Sequence, residues 1–266
     1  MTETPGRMAP TTDRGLSPVC LGIWSAQARH TLLDGTALLL VMLAAGVLRF
    51  VMLDARELFR DEAGSWLLAS AAWHEIVPRS AAEPYAPVYQ FLLKAWMSLF
   101  GDSHAALRAL SGAAGLMLVG VTWAWARQAL GSSVPAVIAA GLVALSPLAL
   151  ANSRDVRMYG LEALLILLAW WLLWRLLADR RPLPQRWAAI LLAAAAVAAE
   201  LWTLPTGVAA FALQLAVVGI LQLRAPHLGV RAGGLALAAG LVAFLPGIPR
   251  MLDAASVQQP YWTPTP

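Results

Sequence analysis

The chain has 266 residues, 59% of them hydrophobic and only 13% charged, with a mean hydropathy of +0.66. Ordinary soluble domains carry about 25% charged residues, so this much apolar mass excludes a soluble fold and points to an integral membrane protein. The net charge of +4 needs no nucleic-acid partner, because arginines of cytoplasmic loops explain it, and the single cysteine, Cys20, excludes an intrachain disulfide framework and a cysteine-built zinc site.

Residues 1–34 are polar and Pro/Thr-rich and hold Arg7, Arg14 and Arg29 without an apolar h-region. They read as a disordered cytoplasmic tail, not a cleaved signal. The first apolar segment, 35–53, is followed by six more at 107–127, 133–151, 159–177, 187–203, 207–223 and 232–250. Each approaches the ~20 residues that cross a hydrocarbon core. The predicted fold class is therefore all-α: a polytopic transmembrane helix bundle of about seven spans over 35–250, with an outer-face tail at 251–266. With the amino terminus inside, Arg127, then Arg175, Arg180, Arg181 and Arg186, then Arg224 and Arg231 fall in inner loops, and most carboxylates fall outside. This is the positive-inside pattern of a multi-pass protein of a cell's inner membrane.

The first outer loop, 54–106, is long beside its neighbours, and long ordered loops are usually functional. Ser65–Trp73 and Pro87–Phe100 are predicted as interfacial helices of this loop. In the second, Tyr89, Leu92, Leu93, Trp96, Leu99 and Phe100 fall near one helical face, with Gln90, Lys94 and Ser98 off it. The alanine-rich run Ala193–Ala199 suits close helix packing.

Three constellations carry candidate chemistry. Asp61 and Glu62 sit just past the first span, with Arg60 beside them. Adjacent residues point in different directions, so one carboxylate can serve as a general base while the other holds a cation or an arginine. Asp155, Arg157 and Tyr159 crowd a short outer loop between the third and fourth spans, where a carboxylate and a phosphate-matching guanidinium are more than a tight turn needs. Glu83, Tyr85 and Tyr89 flank two prolines and offer groups that suit a sugar-sized pocket. Glu162 and Glu200 lie within spans, where an acid is a functional candidate by default. The histidines are scattered without metal-ligand spacing.

The segments "RDEAGSW", "YAPVYQFLLKAWMSLFGDSHAALRALS" and "LSPLALANSRDVRMYGLEALL", in this order, resemble the C-type (GT-C) membrane glycosyltransferases of the protein-mannosyltransferase and aminoarabinose-transferase type (families 39 and 83). The resemblance covers about residues 35–205 well and the rest loosely. It implies transfer of a sugar, with inversion, from a polyprenyl-phosphate carrier to a protein, lipid or glycan acceptor on the outer face. It places Asp61 at the first-loop general base and Glu62 as its neighbour. Asp155 matches the second-loop acid, and Arg157 and Tyr159 match the Arg-Met-Tyr that follows it. Arginine chemistry puts Arg157 near the carrier phosphate. A divalent cation, Mg or Mn, would help neutralise that phosphate, with Asp61 and Asp155 as its candidate ligands.

Two departures stand out. Family members often read His-Pro-Pro-Leu-Tyr where this chain has Tyr85-Ala86-Pro87-Val88-Tyr89, and they usually continue beyond the equivalent of Pro266. A non-catalytic or split-enzyme membrane subunit is thus one alternative, and a flippase for a lipid-linked saccharide is another. The flippase reading predicts charges near the bilayer midplane and broken helices pointing at them, whereas the strongest charge clusters here lie at the outer face.

Overall fold

The computed structural model describes residues 18–80 and 87–249, with side chains from residue 34 onward. Among these residues every regular element is helical. Helix α1 spans Pro18–Phe50, so helix begins well ahead of the first apolar segment; residues 1–17 and 250–266 lie outside the described residues. The long loop after α1, expected on the outer side, holds α2 (Arg60–Ser70), α3 (Ile76–Arg79) and α4 (Val88–Phe100). The bundle continues with α5 (His104–Leu130), α6 (Ser133–Leu145), α7 (Pro147–Asn152), α8 (Tyr159–Ala178), α9 (Trp187–Leu201), α10 (Thr206–Arg224) and α11 (Leu228–Phe244).

Helices thus stand at all seven expected spans. Four of them, α5, α8, α10 and α11 (the last counted to Gly247), are long and apolar enough to cross a membrane. Two expected spans differ from their prediction. The segment 133–151 breaks into α6 and α7 at Ser146, because Pro147 has no N–H to continue the ladder. The carbonyls freed there are taken up by Arg49 of α1, whose guanidinium donates to the Ala144 oxygen at 3.2 Å and the Val143 oxygen at 3.4 Å. The segment 187–203 holds only the 15 residues of α9.

Three apolar clusters organise the bundle. Ala45, Val119, Ala140 and Ala144 let α1, α5 and α6 approach closely, as small residues do between membrane helices. Leu172, Leu173, Ile190, Ala193, Val197, Leu237 and Phe244 join α8, α9 and α11. The alanine-rich run packs as expected: Ala193 is fully buried, and Gly240 of α11 lies against Val197. The third cluster, built on Tyr89, Leu93, Leu107, Leu110, Val156 and Met158, ties the long loop after α1 to α5 and α8.

The α4 stripe was only half legible. Tyr89 and Leu93 are buried, but Leu92 is 40% exposed, and Gln90, placed off the face, is buried. Lys94 turns toward α2 and donates to the Ala71 carbonyl at 2.6 Å. The true buried face is therefore rotated toward α2, on which α4 packs.

Several glycines are required by close approach, Gly207 and Gly229 against backbone. Gly207, in the first turn of α10, sits against the last turn of α9, and a Cβ there would collide with the Glu200 carbonyl. Gly207→Ala is expected to cost about 1–3 kcal/mol through overpacking, read as a lower thermal midpoint of the detergent-solubilised protein.

Candidate active site

After α1 the chain reverses through Met52, which adopts the left-handed conformation (φ 56°). That conformation is uncommon for a residue with a side chain and persists only where its surroundings enforce it. The turn that follows Met52 is held by Arg108, in the second turn of α5. All five of its N–H donors are used. Nη1 donates to the carbonyls of Leu53 at 2.6 Å and Arg56 at 2.9 Å, and Nη2 donates to that of Glu57 at 2.9 Å. Nε and Nη2 grip Glu62 in a two-point pair at 3.0 and 2.8 Å.

Glu62 is buried and equally saturated. Besides Arg108 it accepts from the Phe59 amide at 2.9 Å, closing the amino terminus of α2, and from the Val156 amide at 3.0 Å. Burial pushes the Glu62 carboxyl up, but the Arg108 bonds and the two amides outweigh it and hold the group below the usual carboxylate range. Glu62, expected among the catalytic residues, thus stands behind the surface as the knot between the long loop after α1, α5 and the 153–158 loop.

That knot brings the two acidic loops together. Arg157 Nη1 donates to the Asp61 backbone carbonyl at 3.3 Å, and its guanidinium lies over the Tyr159 ring at 5.6 Å. The Asp61 side chain is exposed in the first turn of α2, and no other described residue bonds its carboxylate. Arg60 is exposed beside it. Arg56 bonds the Asp155 carboxylate directly and the Arg154 carbonyl at 3.3 Å. Arg154 turns back to the carbonyls of Leu48 and Val51, capping the end of α1. Between them is a cavity of about 190 Å³ lined by Met52, Leu53, Ala55, Arg56, Arg108 and Arg154.

Tyr89 corrects the expectation that it lines a sugar pocket. It is buried, its hydroxyl lies 3.3 Å from the Ser111 hydroxyl, and Ser111 donates to the Arg157 carbonyl at 3.2 Å. Burial pushes its phenol well up. It supports the Arg157 loop from beneath. Glu83 and Tyr85 lie outside the described residues. Glu162 and Glu200 are buried deeper, bonded to Thr206 and Gln214, and do not join that cluster.

Arg56, Arg108 and Ser111 were not singled out from the sequence, and Arg154 entered only as one of the charges crowding the Asp155 loop, without a role. For Arg108 a signal existed, a guanidinium at the start of an apolar span; for Arg56, an ordinary loop charge, none did.

The expected divalent cation finds no matching donor set here. Asp155 is occupied by Arg56, whose positive charge opposes a metal, and no three His, Cys, Asp or Glu converge among the described residues.

Compared with known proteins, residues 83–248 match the family described as dolichyl-phosphate-mannose-protein mannosyltransferase. No curated protein and no solved structure matches the chain. The matched segment contains Arg108, Asp155, Arg157 and Tyr159; Asp61 and Glu62 precede it.

Proposed function

Because the chain belongs to the dolichyl-phosphate-mannose-protein mannosyltransferase family, membrane glycosyltransferases by descent, we propose that it moves a sugar from a polyprenyl-phosphate carrier to an acceptor hydroxyl, with inversion. The transfer takes place on the outer face of the cell's inner membrane. The acceptor is a protein, a lipid or a glycan. One observation carries this reading: the Arg157 guanidinium bonds the backbone carbonyl of Asp61, whose exposed carboxylate no other described residue bonds, so both groups lie at the same end of the bundle.

The chemistry follows from those two groups. The acceptor oxygen attacks the anomeric carbon while Asp61 takes its proton. The bond from that carbon to the phosphate oxygen breaks, and its electron pair stays on the phosphate. Arg157 stabilises the charge that develops there, and Arg56 at the neighbouring cavity adds a second positive group. Tyr159 holds the Arg157 fork in place by stacking. Glu62 and Arg108 take no proton; they set the distance between the two loops.

The test is native mass spectrometry of the protein extracted gently from its own membrane, beside an Arg157→Ala variant. A co-purifying polyprenyl phosphate or its sugar conjugate is expected in the parent. Its retention should fall about tenfold or more in the variant, the worth of a charge-assisted bond. Absence of any carrier from both samples would count against the donor assignment.

A further inference from the structure

Helix α9 is about 22 Å long at ~1.5 Å per residue, short of the ~30 Å hydrocarbon core. Its neighbour α8 has 20 residues. The space beside the last turns of α8 and the first of α9 is a cavity of about 570 Å³. It lies at the end of α8 opposite Tyr159, far from the candidate active site.

The walls are of two kinds. Leu172, Trp174 and Leu192 line an apolar side, and Trp174 and Leu192 are 45% and 56% exposed, so this side continues into the outward face of the helices. Arg175 and Arg181 line the other side. Arg175 is held over the Trp171 ring at 5.5 Å, and Trp171 is anchored by its Nε1 to Gln128, another wall residue, at 3.0 Å.

Among the described residues the charge around the cavity is unbalanced. Asp179 is the one carboxylate on the cavity wall, and Arg181 already grips it through Nε at 3.0 Å and Nη2 at 2.7 Å. Arg186 stands behind Asp179 at 3.8 Å, buried, with no hydrogen-bond acceptor for its guanidinium among the described residues. Arg180 adds a fourth positive charge beside Arg181. One carboxylate does not neutralise four guanidiniums, so the rim attracts an anion, and an arginine fork suits a phosphate. A cationic rim on an apolar groove that opens to the bilayer has the chemistry of a lipid headgroup site.

We propose that this groove binds one anionic glycerophospholipid, with its phosphate at Arg175 and Arg181 and an acyl chain along Leu172, Trp174 and Leu192. The lipid fills the space that the short α9 leaves and so steadies the α8–α9 pair. The site is independent of the sugar carrier and of the activity proposed above.

The full chain reconstituted in phosphatidylcholine, with or without phosphatidylglycerol, tests this by native mass spectrometry of retained lipid. One phosphatidylglycerol should be held in preference to phosphatidylcholine. Arg175→Gln with Arg181→Gln should weaken that retention about tenfold or more, from the loss of two surface charges. Leu192→Trp blocks the groove without touching charge and should weaken it as well, which separates groove binding from general attraction to the surface. Equal retention of the two lipids, or retention unchanged in both variants, would overturn the proposal. So would a polyprenyl phosphate that is retained by the parent and by Arg157→Ala but lost in the Arg175→Gln, Arg181→Gln variant, which would make the groove a carrier site.

Discussion

Arg108→Met should lower the thermal midpoint of the solubilised protein by on the order of 10 °C, and Glu62→Leu by a similar amount. Glu62→Leu leaves Arg108 buried without its counter-charge, and Arg108→Met leaves Glu62 with only the more distant Arg56, at 3.7 Å. Glu62→Leu also strands the amides of Phe59 and Val156, and Arg108→Met strands the carbonyls of Leu53, Arg56 and Glu57. Removing one member of a buried pair costs about 3–5 kcal/mol, whereas replacing both by apolar side chains of similar volume is often tolerated. The double variant should therefore lose clearly less than the sum of the singles, and a double-mutant cycle measures the difference. Additive losses would show that the pair is not the knot described.

The pair also gives a signed pH dependence. The folded-state Glu62 carboxyl is held below its unfolded value, by Arg108 and two amides acting against burial. Its contribution is complete above about pH 4.3, the ordinary glutamate value, and is lost as the pH falls through the lower folded value. Glu62→Gln removes this acid-sensitive part. Midpoints of parent and variant should differ most at neutral pH and converge under acid.

The fold was legible wherever hydropathy carried it, since a run of apolar residues at bundle depth has little choice but helix. Hydropathy did not reveal the ends. It runs on through Ser146-Pro147, where the ladder fails for want of one N–H, and into Trp202, which is apolar but lies past the end of α9. The loop charges were legible as two clusters, and the structure joins them. What joins them was not, because Arg108 is separated from Glu62 by 46 residues and reads in sequence as the flank of a span. The same limit explains Tyr89. An aromatic two residues after a proline suits a sugar pocket and a core equally, and only the Leu107, Val156 and Met158 packed in its cluster decide for the core.

Asp61→Asn should lower transfer by about two to four orders of magnitude, the usual weight of a general base, while the protein stays folded and keeps its carrier. The expectation rests on how differently the two adjacent acids are placed. Glu62 has every acceptor position filled, so it has no room for a substrate proton. Asp61 is exposed, with only its backbone carbonyl engaged, by Arg157 and by the Ser65 hydroxyl at 3.2 Å. Loss of its charge removes a favourable interaction with the amino terminus of α2, at most about 1 kcal/mol, so the midpoint should scarcely move. Asp61→Glu keeps the charge, shifts it by one methylene and should recover part of the activity. Substrate turnover must be read beside carrier retention: a base variant loses the first and keeps the second, whereas Arg157→Ala loses the second. If Asp61→Asn transfers sugar as well as the parent, Asp61 is not the base. If neither the parent nor any variant transfers sugar while all retain the carrier, the fold is serving as a binding subunit or a flippase, and the placement of Asp61 and Arg157 at the same end of the bundle then positions a headgroup without reacting it.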